Sequence, residues 1–251
     1  MALELVLFRT GGIEIVRSAF EPWLAEPQRS EMPYQPVWSA LVRTPEGNVL
    51  FDTGFHPVHV ERPDATYGPQ PRLRVVMADE DRILARLASV GVGPEDIAVV
   101  VNSHLHFDHA GNNGAFPQAT FIVQADHLAY AKGRPNFPGV YWEIAGLNYV
   151  PADGRTRIAR GVEVVPTPGH APGHQSLVVD LPETGRVVLC GDASQLRVNL
   201  ERDEVGAQDP ASAKESLALI RSLVKNDLDR CFVSHDAAAW RAWRHAPEAY
   251  R

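Results

Sequence analysis

Three histidines and one aspartate occupy the six positions from His104 to His109, directly after an apolar run. Imidazole nitrogens and carboxylate oxygens are ligands that divalent zinc accepts in proteins. In a loop that leaves a strand, His104 and His106 can point one way while Asp108 and His109 turn toward a second position. The segment therefore predicts ligands for two metal ions.

Three further candidate ligands also follow apolar runs, although they are distant in sequence. His170 comes after the run 162–165, Asp192 after the run 187–190, and His235 after the run 231–233. Glycines directly before His170 and Asp192 permit tight backbone paths, so these side chains can converge on one rim. The expected metal ligands are therefore His104, His106, Asp108, His109, His170, Asp192 and His235.

A structural role is the alternative for each of these residues. A single histidine beside a strand is more often a hydrogen-bonded structural residue, and His170 or His235 alone would indicate little. The cluster at 104–109 is different, because four polar side chains after a buried strand would be costly to satisfy without a metal. The other histidines are expected to be structural or at the surface, with His174 as a candidate hydrogen-bond partner of a ligand: His56, His59, His127, His174 and His245.

Short strands must position these residues. An apolar run at 37–42, a polar turn at 45–48 and a second run at 49–51 predict a hairpin. Residues 80–90 show helical spacing, and Asp209 followed by Pro210 predicts the start of a helix that extends to Val224. Further strands are expected at 97–101, 121–124, 162–165, 177–179, 187–190 and 231–233, and long loops at 55–77 and 132–160.

Composition limits the kind of protein. The chain has 251 residues, 45% hydrophobic and 22% charged, which predicts a packed core, and no linker-like segment divides it, so we expect one domain over residues 1–251. The formal net charge is −7, which gives no basic surface for nucleic acid. No apolar run approaches the roughly 20 residues that span a bilayer. We therefore expect neither a nucleic-acid nor a membrane partner.

The expected compartment is the cytoplasm. The first residues lack the cationic stretch and the cleavage site of a secretory signal. Cys190 and Cys231 lie inside apolar runs and show no CxxC pairing, so we expect buried, reduced thiols rather than a zinc site.

The pattern His-x-His-x-Asp-His at 104–109, with the later His170, Asp192 and His235, resembles the metallo-β-lactamase superfamily. Matching stretches at 52–54, 103–112, 167–176 and 234–236 make the chain similar to N-acyl homoserine lactone lactonases within it. The resemblance implies an α+β fold, an αββα sandwich with the metal site at one edge of two central sheets. It also implies one metal at His104, His106 and His170, the other at Asp108, His109 and His235, and Asp192 bridging both.

The activity implied is zinc-dependent opening of the lactone ring of N-acyl homoserine lactones, which is quorum quenching. We expect a metal-bridging hydroxide to attack the carbonyl carbon. Asp108, already at the metal edge, is the expected proton carrier to the departing ring oxygen, and Asp192 the bridging residue. Oxygen-reducing di-iron members usually carry glutamate where this chain has His106, which favours hydrolysis over redox chemistry.

One residue departs from the lactonase pattern. Those enzymes usually carry a tyrosine shortly after the bridging aspartate, where it contacts the substrate carbonyl, and this chain has Gln195. An amide can donate a hydrogen bond but cannot act as a phenolic acid. Gln195 and Phe107 are the expected substrate contacts, and other aromatic residues are available for an apolar rim: Phe55, Phe137, Tyr141 and Trp142.

Gln195 also leaves other functions open. The alternatives are a hydrolase of another lactone, ester, thioester, β-lactam or phosphodiester on the same scaffold, and a non-catalytic metal-binding domain. Seven side chains shared by two ions leave coordination positions for water, which argues against the non-catalytic alternative.

Overall fold

Two mixed β-sheets face each other in the computed structural model, which describes residues 3–251. Valine, isoleucine, leucine and phenylalanine dominate the strands, as expected for residues that pack well on a pleated surface. In chain order the strands are β1 (Glu4–Ile15), β2 (Tyr34–Thr44), β3 (Gly47–Phe51), β4 (Leu73–Val76), β5 (Ile97–Val101), β6 (Thr120–Gln124), β7 (Asn148–Ala152), β8 (Thr156–Ala159), β9 (Val162–Pro166), β10 (Gln175–Leu181), β11 (Gly185–Gly191) and β12 (Cys231–Val233).

The first sheet has the order β4-β1-β2-β3-β5-β6-β7, and the second has the order β12-β11-β10-β9-β8. In the first sheet β4, β1, β2 and β3 pair antiparallel, whereas β3, β5, β6 and β7 pair parallel. In the second sheet the pairs are antiparallel except for β11 and β12, which run parallel. The parallel strands β3 and β5, and likewise β11 and β12, therefore end at a common edge of their sheet.

The main hydrophobic core lies between the two sheets. Leu5, Leu7 and Phe51 of the first sheet pack with Leu177 and Leu189 of the second, and all five side chains are almost completely buried. Alternate residues of the same strands face outward, where helices cover them. The result is the layered αββα arrangement of the predicted α+β class.

Helices cover the outer face of each sheet. The helices are α1 (Val58–Glu61), α2 (Ile83–Ala88), α3 (Ala125–Ala131), α4 (Arg197–Arg202), α5 (Pro210–Leu223) and α6 (Ala237–Ala242). Ile83 and Leu87 of α2 pack against the first sheet. Leu217 and Ile220 of α5 pack against the second sheet.

The predicted hairpin, helices and strands are present. The hairpin consists of β2 and β3, paired from Ala40 with Phe51 to Thr44 with Gly47. Helix α5 begins after Asp209, whose carboxylate accepts hydrogen bonds from the backbone N–H groups of Ala211 and Ser212. Helix α2 is shorter than the predicted 80–90, because Arg82 leaves helical geometry and separates it from a single turn at Asp79–Asp81.

The expectation of long loops at 55–77 and 132–160 is wrong in part. The first segment contains α1 and β4, and the second contains β7 and β8. These strands are short and lie at the edges of their sheets, and each pairs on one side with a single named strand. Half-exposed edge strands carry little of the periodic apolar pattern that identifies a strand in a sequence.

Cys190 and Cys231 are both free and buried, as expected. None of the helices within residues 3–251 is both long enough and apolar enough to cross a lipid bilayer. One domain over residues 1–251 stays a prediction.

Packing of α5 against the second sheet can be tested with two leucines of the same helix. Leu217 is completely buried and Leu219 is 36% exposed. We expect Leu217→Ala to lower the free energy of unfolding by about 2–5 kcal/mol, because it leaves a cavity in the core. Leu219→Ala is the matched control and should change stability by less than about 0.5 kcal/mol. Equal losses in urea unfolding would contradict this assignment of the buried face.

Candidate metal centre

The predicted ligands lie at one edge of the two sheets. The 104–109 loop follows β5, Asp192 follows β11, and His235 follows β12. His170 lies in the loop that joins β9 to β10. The structure brings all seven together in two groups, within each of which the nitrogen or oxygen atoms lie within 4.8 Å of one another: His104, His106, His170 and Asp192; and Asp108, His109 and His235.

The carboxylate of Asp192 lies between the two groups. Its Oδ2 is 3.3 Å from Nε2 of His170, in the first group. Its Oδ1 is 3.3 Å from Nε2 of His109 and 3.2 Å from Nε2 of His235, in the second group. The two oxygens of one carboxylate thus face different groups, which is the arrangement that a bridging ligand needs.

The spacing of these atoms suits a metal. Two ligand atoms bound to zinc at roughly 2.0 Å in tetrahedral geometry lie about 3.3 Å apart. In the second group, Oδ2 of Asp108 is 3.4 Å from Nε2 of His109 and 3.7 Å from Nε2 of His235. In the first group, Nδ1 of His106 is 2.7 Å from Nε2 of His104 and 3.1 Å from Nε2 of His170.

Two atoms of the candidate ligands are buried without a hydrogen-bond partner among residues 3–251, namely Nε2 of His109 and Oδ1 of Asp192. A buried polar atom that lacks a partner costs about 1–3 kcal/mol. Cations between the two groups would supply that partner. The donor set, its spacing and these unpaired atoms therefore fit a pair of divalent cations.

Hydrogen bonds on the far side of the rings orient the imidazoles. Nδ1 of His235 lies 2.9 Å from the backbone oxygen of Pro36, to which it donates. Nδ1 of His109 lies 2.8 Å from Oδ2 of Asp52, and Nδ1 of His104 lies 3.0 Å from Oγ of Ser103. A proton on Nδ1 of His235 or His109 leaves the Nε2 lone pair directed at the site.

Asp52 is a site residue that the candidate ligand list does not include. It follows β3 with a backbone φ of 56°, in the left-handed region that few residues other than glycine adopt. Its carboxylate is buried and accepts hydrogen bonds from the backbone N–H of Ser103 (2.7 Å) and the hydroxyl of Ser103 (2.8 Å), besides that from His109. Its position in the sequence could have identified Asp52 as a site residue, because it follows an apolar strand as the candidate ligands do.

Charge interactions set the protonation of the site. Burial alone would raise the pKa of Asp192, but His235, His109 and His170 lower it well below its usual value. Burial would lower the pKa of His109, but the carboxylates of Asp108, Asp192 and Asp52 raise it well above its usual value. Burial, with the neighbouring His170, lowers the pKa of His106 to about 3. These shifts favour the ionised carboxylate of Asp192 and the neutral ring of His106, the forms of these side chains that bind metal.

Two further buried histidines hold the loops that carry the ligands. Nε2 of His174 accepts the backbone N–H of Asp192 at 3.0 Å, so the predicted contact of His174 with a ligand is present. Nε2 of His127 accepts the backbone N–H of Leu105 at 2.9 Å, between two candidate ligands. Burial lowers the pKa of both rings, that of His127 to about 4, which keeps them neutral acceptors.

A glycine is required beside the site at one position. Gly191 has a φ of 53°, and a Cβ added there would lie 2.7 Å from Cβ of Ser103 and 2.8 Å from Nε2 of His174. Only glycine lets β11 approach the 104–109 loop closely enough to place Asp192 between the groups.

A cavity of about 480 Å³ opens over the two groups. Asp108, His170 and Asp192 form part of its polar wall. The expected substrate contacts Phe107 and Gln195 both line it. The remaining wall is mostly apolar and comes from β1, the segment after it, and the region of β4: Ile13, Ile15, Ala19, Phe20, Tyr67 and Leu73.

Of the aromatic residues available for an apolar rim, Phe107 lines this cavity, whereas the lining lacks Phe55, Phe137, Tyr141 and Trp142. All four are buried in the packing behind it. The ring of Phe137 stacks on that of His106 with centroids 4.5 Å apart, and Phe55 packs 5.2 Å from Phe107. These residues support the walls instead of forming them.

Comparison with known proteins agrees with this geometry. The model of the metallo-beta-lactamase superfamily matches residues 33–235. An N-acyl homoserine lactonase from Bacillus thuringiensis is 37% identical over 217 residues, which cover 85% of this chain and 86% of that protein.

Two solved structures are similar over their whole length. One is an N-acyl homoserine lactone hydrolase with the product N-hexanoyl-L-homoserine bound at its catalytic metal centre. The other is a mutant of AiiA from B. thuringiensis with N-decanoyl-L-homoserine bound at its active site. Each superimposes with a TM-score of 0.91 at 32% identity and covers 100% of both chains.

The role of Asp52 can be tested by Asp52→Asn. This change keeps the shape of the side chain but removes the charge that holds His109. We expect the affinity for metal to fall by about 10–100-fold, the usual effect of losing such a partner. Competition with a chromophoric chelator would measure it.

The control is Asp81→Asn, at another buried carboxylate, which pairs with Arg9 and Arg86. This variant should lose stability without losing metal affinity. Unchanged metal binding in Asp52→Asn, or an equal loss in both variants, would contradict the assigned role.

Proposed function

The chain is a metal-dependent hydrolase that belongs to the metallo-β-lactamase superfamily, and we propose that it opens the lactone ring of N-acyl homoserine lactones. Such a reaction inactivates signalling lactones and is therefore quorum quenching. The observation that carries the proposal is the two-part cavity, in which the candidate ligands form one wall and apolar side chains form most of the rest.

The two parts of the cavity suit the two parts of an acyl-homoserine lactone. The lactone ring, with its polar carbonyl, would lie over Asp108 and Asp192. The acyl chain would lie against Ile13, Ile15 and Leu73, where burial of each CH₂ group contributes about 0.8 kcal/mol. The names of the similar proteins and the acyl-homoserine products in the similar structures support this choice of substrate.

We propose that the seven grouped side chains bind two divalent cations, and that these are Zn²⁺ because the donors are imidazoles and carboxylates. When bound, such ions polarise a carbonyl group and lower the pKa of water to about 7, which supplies a nucleophile near neutral pH. His104, His106 and His170 would hold one ion and Asp108, His109 and His235 the other, with Asp192 shared by both.

Asp108 is the proposed proton carrier. Its side chain belongs to the second group and also lines the cavity, so it can reach both the ligands and the substrate. Although burial would raise its pKa, His109 and His235 lower it, which keeps the carboxylate ionised and able to accept a proton. Oδ1 or Oδ2 would take the proton lost by the attacking water and deliver it to the departing ring oxygen.

Other substrates on this scaffold remain the alternative, and Gln195 is the feature that keeps it open. Esters, thioesters, other lactones, β-lactams and phosphodiesters would all meet the same metal ligands. A non-catalytic metal site is disfavoured, because the cavity reaches Asp108, His170 and Asp192 and so leaves both groups accessible to a small molecule. A cytoplasmic location stays a prediction.

The substrate is tested with metal-loaded protein and a panel of compounds. We expect ring opening of N-hexanoyl and N-decanoyl homoserine lactones, measured by proton release. A chelator should abolish turnover, and added Zn²⁺ should restore it. Turnover of a β-lactam or a phosphodiester without lactone opening would contradict the proposal, as would full lactone turnover in metal-depleted protein.

The role of Asp108 is tested by Asp108→Asn, which preserves size but cannot take up the proton. We expect kcat to fall by about 100-fold or more, in the usual range for loss of a proton-transfer group. Metal content is measured on the same samples, and the comparison is made at full loading. A loaded variant with unchanged kcat would exclude the proton-carrier role.

A further inference from the structure

Gln195 contacts one histidine of each group. It lies between β11 and α4, and its side chain is 1% exposed. Nε2 of its amide is 3.2 Å from Nδ1 of His170, in the first group. Its backbone oxygen accepts the backbone N–H of His235, in the second group, at 2.8 Å. A single residue thus connects the two halves of the site.

The direction of the hydrogen bond between Gln195 and Nδ1 of His170 follows from the requirement that the other ring nitrogen, Nε2, present a lone pair to a cation. Nε2 of His170 faces Nδ1 of His106 at 3.1 Å and Oδ2 of Asp192 at 3.3 Å. A neutral imidazole has one N–H and one lone pair. If Nε2 is to present its lone pair to a cation, the proton must be on Nδ1, and the amide atom that faces Nδ1 must be an acceptor.

A half-turn of the Gln195 amide supplies that acceptor. With Nε2 facing Nδ1, the amide oxygen Oε1 is buried and has no hydrogen-bond partner within residues 3–251. The oxygen and nitrogen of a side-chain amide have nearly the same shape and exchange places by rotation about the last side-chain bond. After that rotation, Oε1 accepts the Nδ1 proton of His170, and the unpaired oxygen gains a partner.

No other residue of the described chain is placed to accept the Nδ1 proton of His170. Within residues 3–251, Gln195 is the sole hydrogen-bond partner of Nδ1 of His170. The corresponding nitrogens of His109 and His235 are held by Asp52 and by the backbone oxygen of Pro36. The ring of His170 is half-buried and lines the cavity, as do the candidate ligands His106 and His235.

We propose that Gln195 is a positioning residue for the metal centre, whose side-chain oxygen holds His170 protonated on Nδ1 and directs its Nε2 at the first cation. This inference rests on the proposed dinuclear centre, and it changes the expected role of Gln195 from substrate contact to metal support. A residue that supports a ligand alters metal affinity, whereas one that contacts only substrate alters KM.

The experiment compares two variants of similar length. Gln195→Glu retains an oxygen acceptor for the Nδ1 proton, whereas Gln195→Met offers only a thioether sulfur, which is a weak acceptor. We expect the methionine variant to bind one of two Zn²⁺ ions about 10–100-fold more weakly, and the glutamate variant to keep the affinity of the parent. Competition with a chromophoric chelator measures both affinities without any substrate.

Ser234→Ala is the matched control. Ser234 is next to His235, and its buried hydroxyl has no hydrogen-bond partner within residues 3–251. Removing it perturbs the same region without removing a contact, so zinc affinity should be unchanged. Equal zinc affinity in the methionine variant and the parent, or equal loss in the glutamate and methionine variants, would overturn the proposal.

If the methionine variant does not fold, a measurement on the unaltered, zinc-loaded protein tests the proposed role of Gln195. Nitrogen-15 NMR of the histidine rings should show His170 protonated on Nδ1 and metal-bound through Nε2. Metal at Nδ1, or a proton on Nε2, would contradict the inference. If these results hold but no lactone is opened, the substrate proposal fails while the role of Gln195 stands.

Discussion

The structure depends on one electrostatic constraint, the burial of Asp52, Asp108 and Asp192 beside five imidazoles at a single sheet edge. Ionised carboxylates are costly to bury unless positive charge balances them. The carboxylates raise the pKa of His109, and Oδ1 of Asp192 still lacks a hydrogen-bond partner among residues 3–251. A pair of cations would satisfy these atoms together, and the hydrogen bonds made by Nδ1 of His109 and His235 leave their Nε2 atoms facing the site.

The sheets make that burial feasible because they bring distant strand ends to the same place. Parallel pairing of β3 with β5 puts Asp52 beside the 104–109 loop, and parallel pairing of β11 with β12 puts Asp192 beside His235. The core between the sheets then fixes the two halves of the site against each other. The two sheets therefore fix the positions of the loops at this edge, and these short loops carry the candidate ligands.

Much of the site could be predicted from the sequence because its chemistry is local. The cluster at 104–109 needs no knowledge of the fold, and His170, Asp192 and His235 each follow a recognisable apolar run. The apolar cavity wall could not be predicted, because Ile13, Ile15 and Leu73 meet only through the long-range pairing of β1 with β4. Phe107 lines the cavity, whereas Phe55 and Phe137 pack behind its wall, and this difference depends on tertiary packing that leaves no periodic signal in the sequence.

The central claim is that two cations occupy the two groups. The most direct test is anomalous X-ray scattering from crystals of the zinc-loaded protein, recorded at the zinc absorption edge. We expect two peaks per chain, one among His104, His106 and His170 and one among Asp108, His109 and His235, each within bonding distance of Asp192. A single peak, or peaks away from these side chains, would contradict the account.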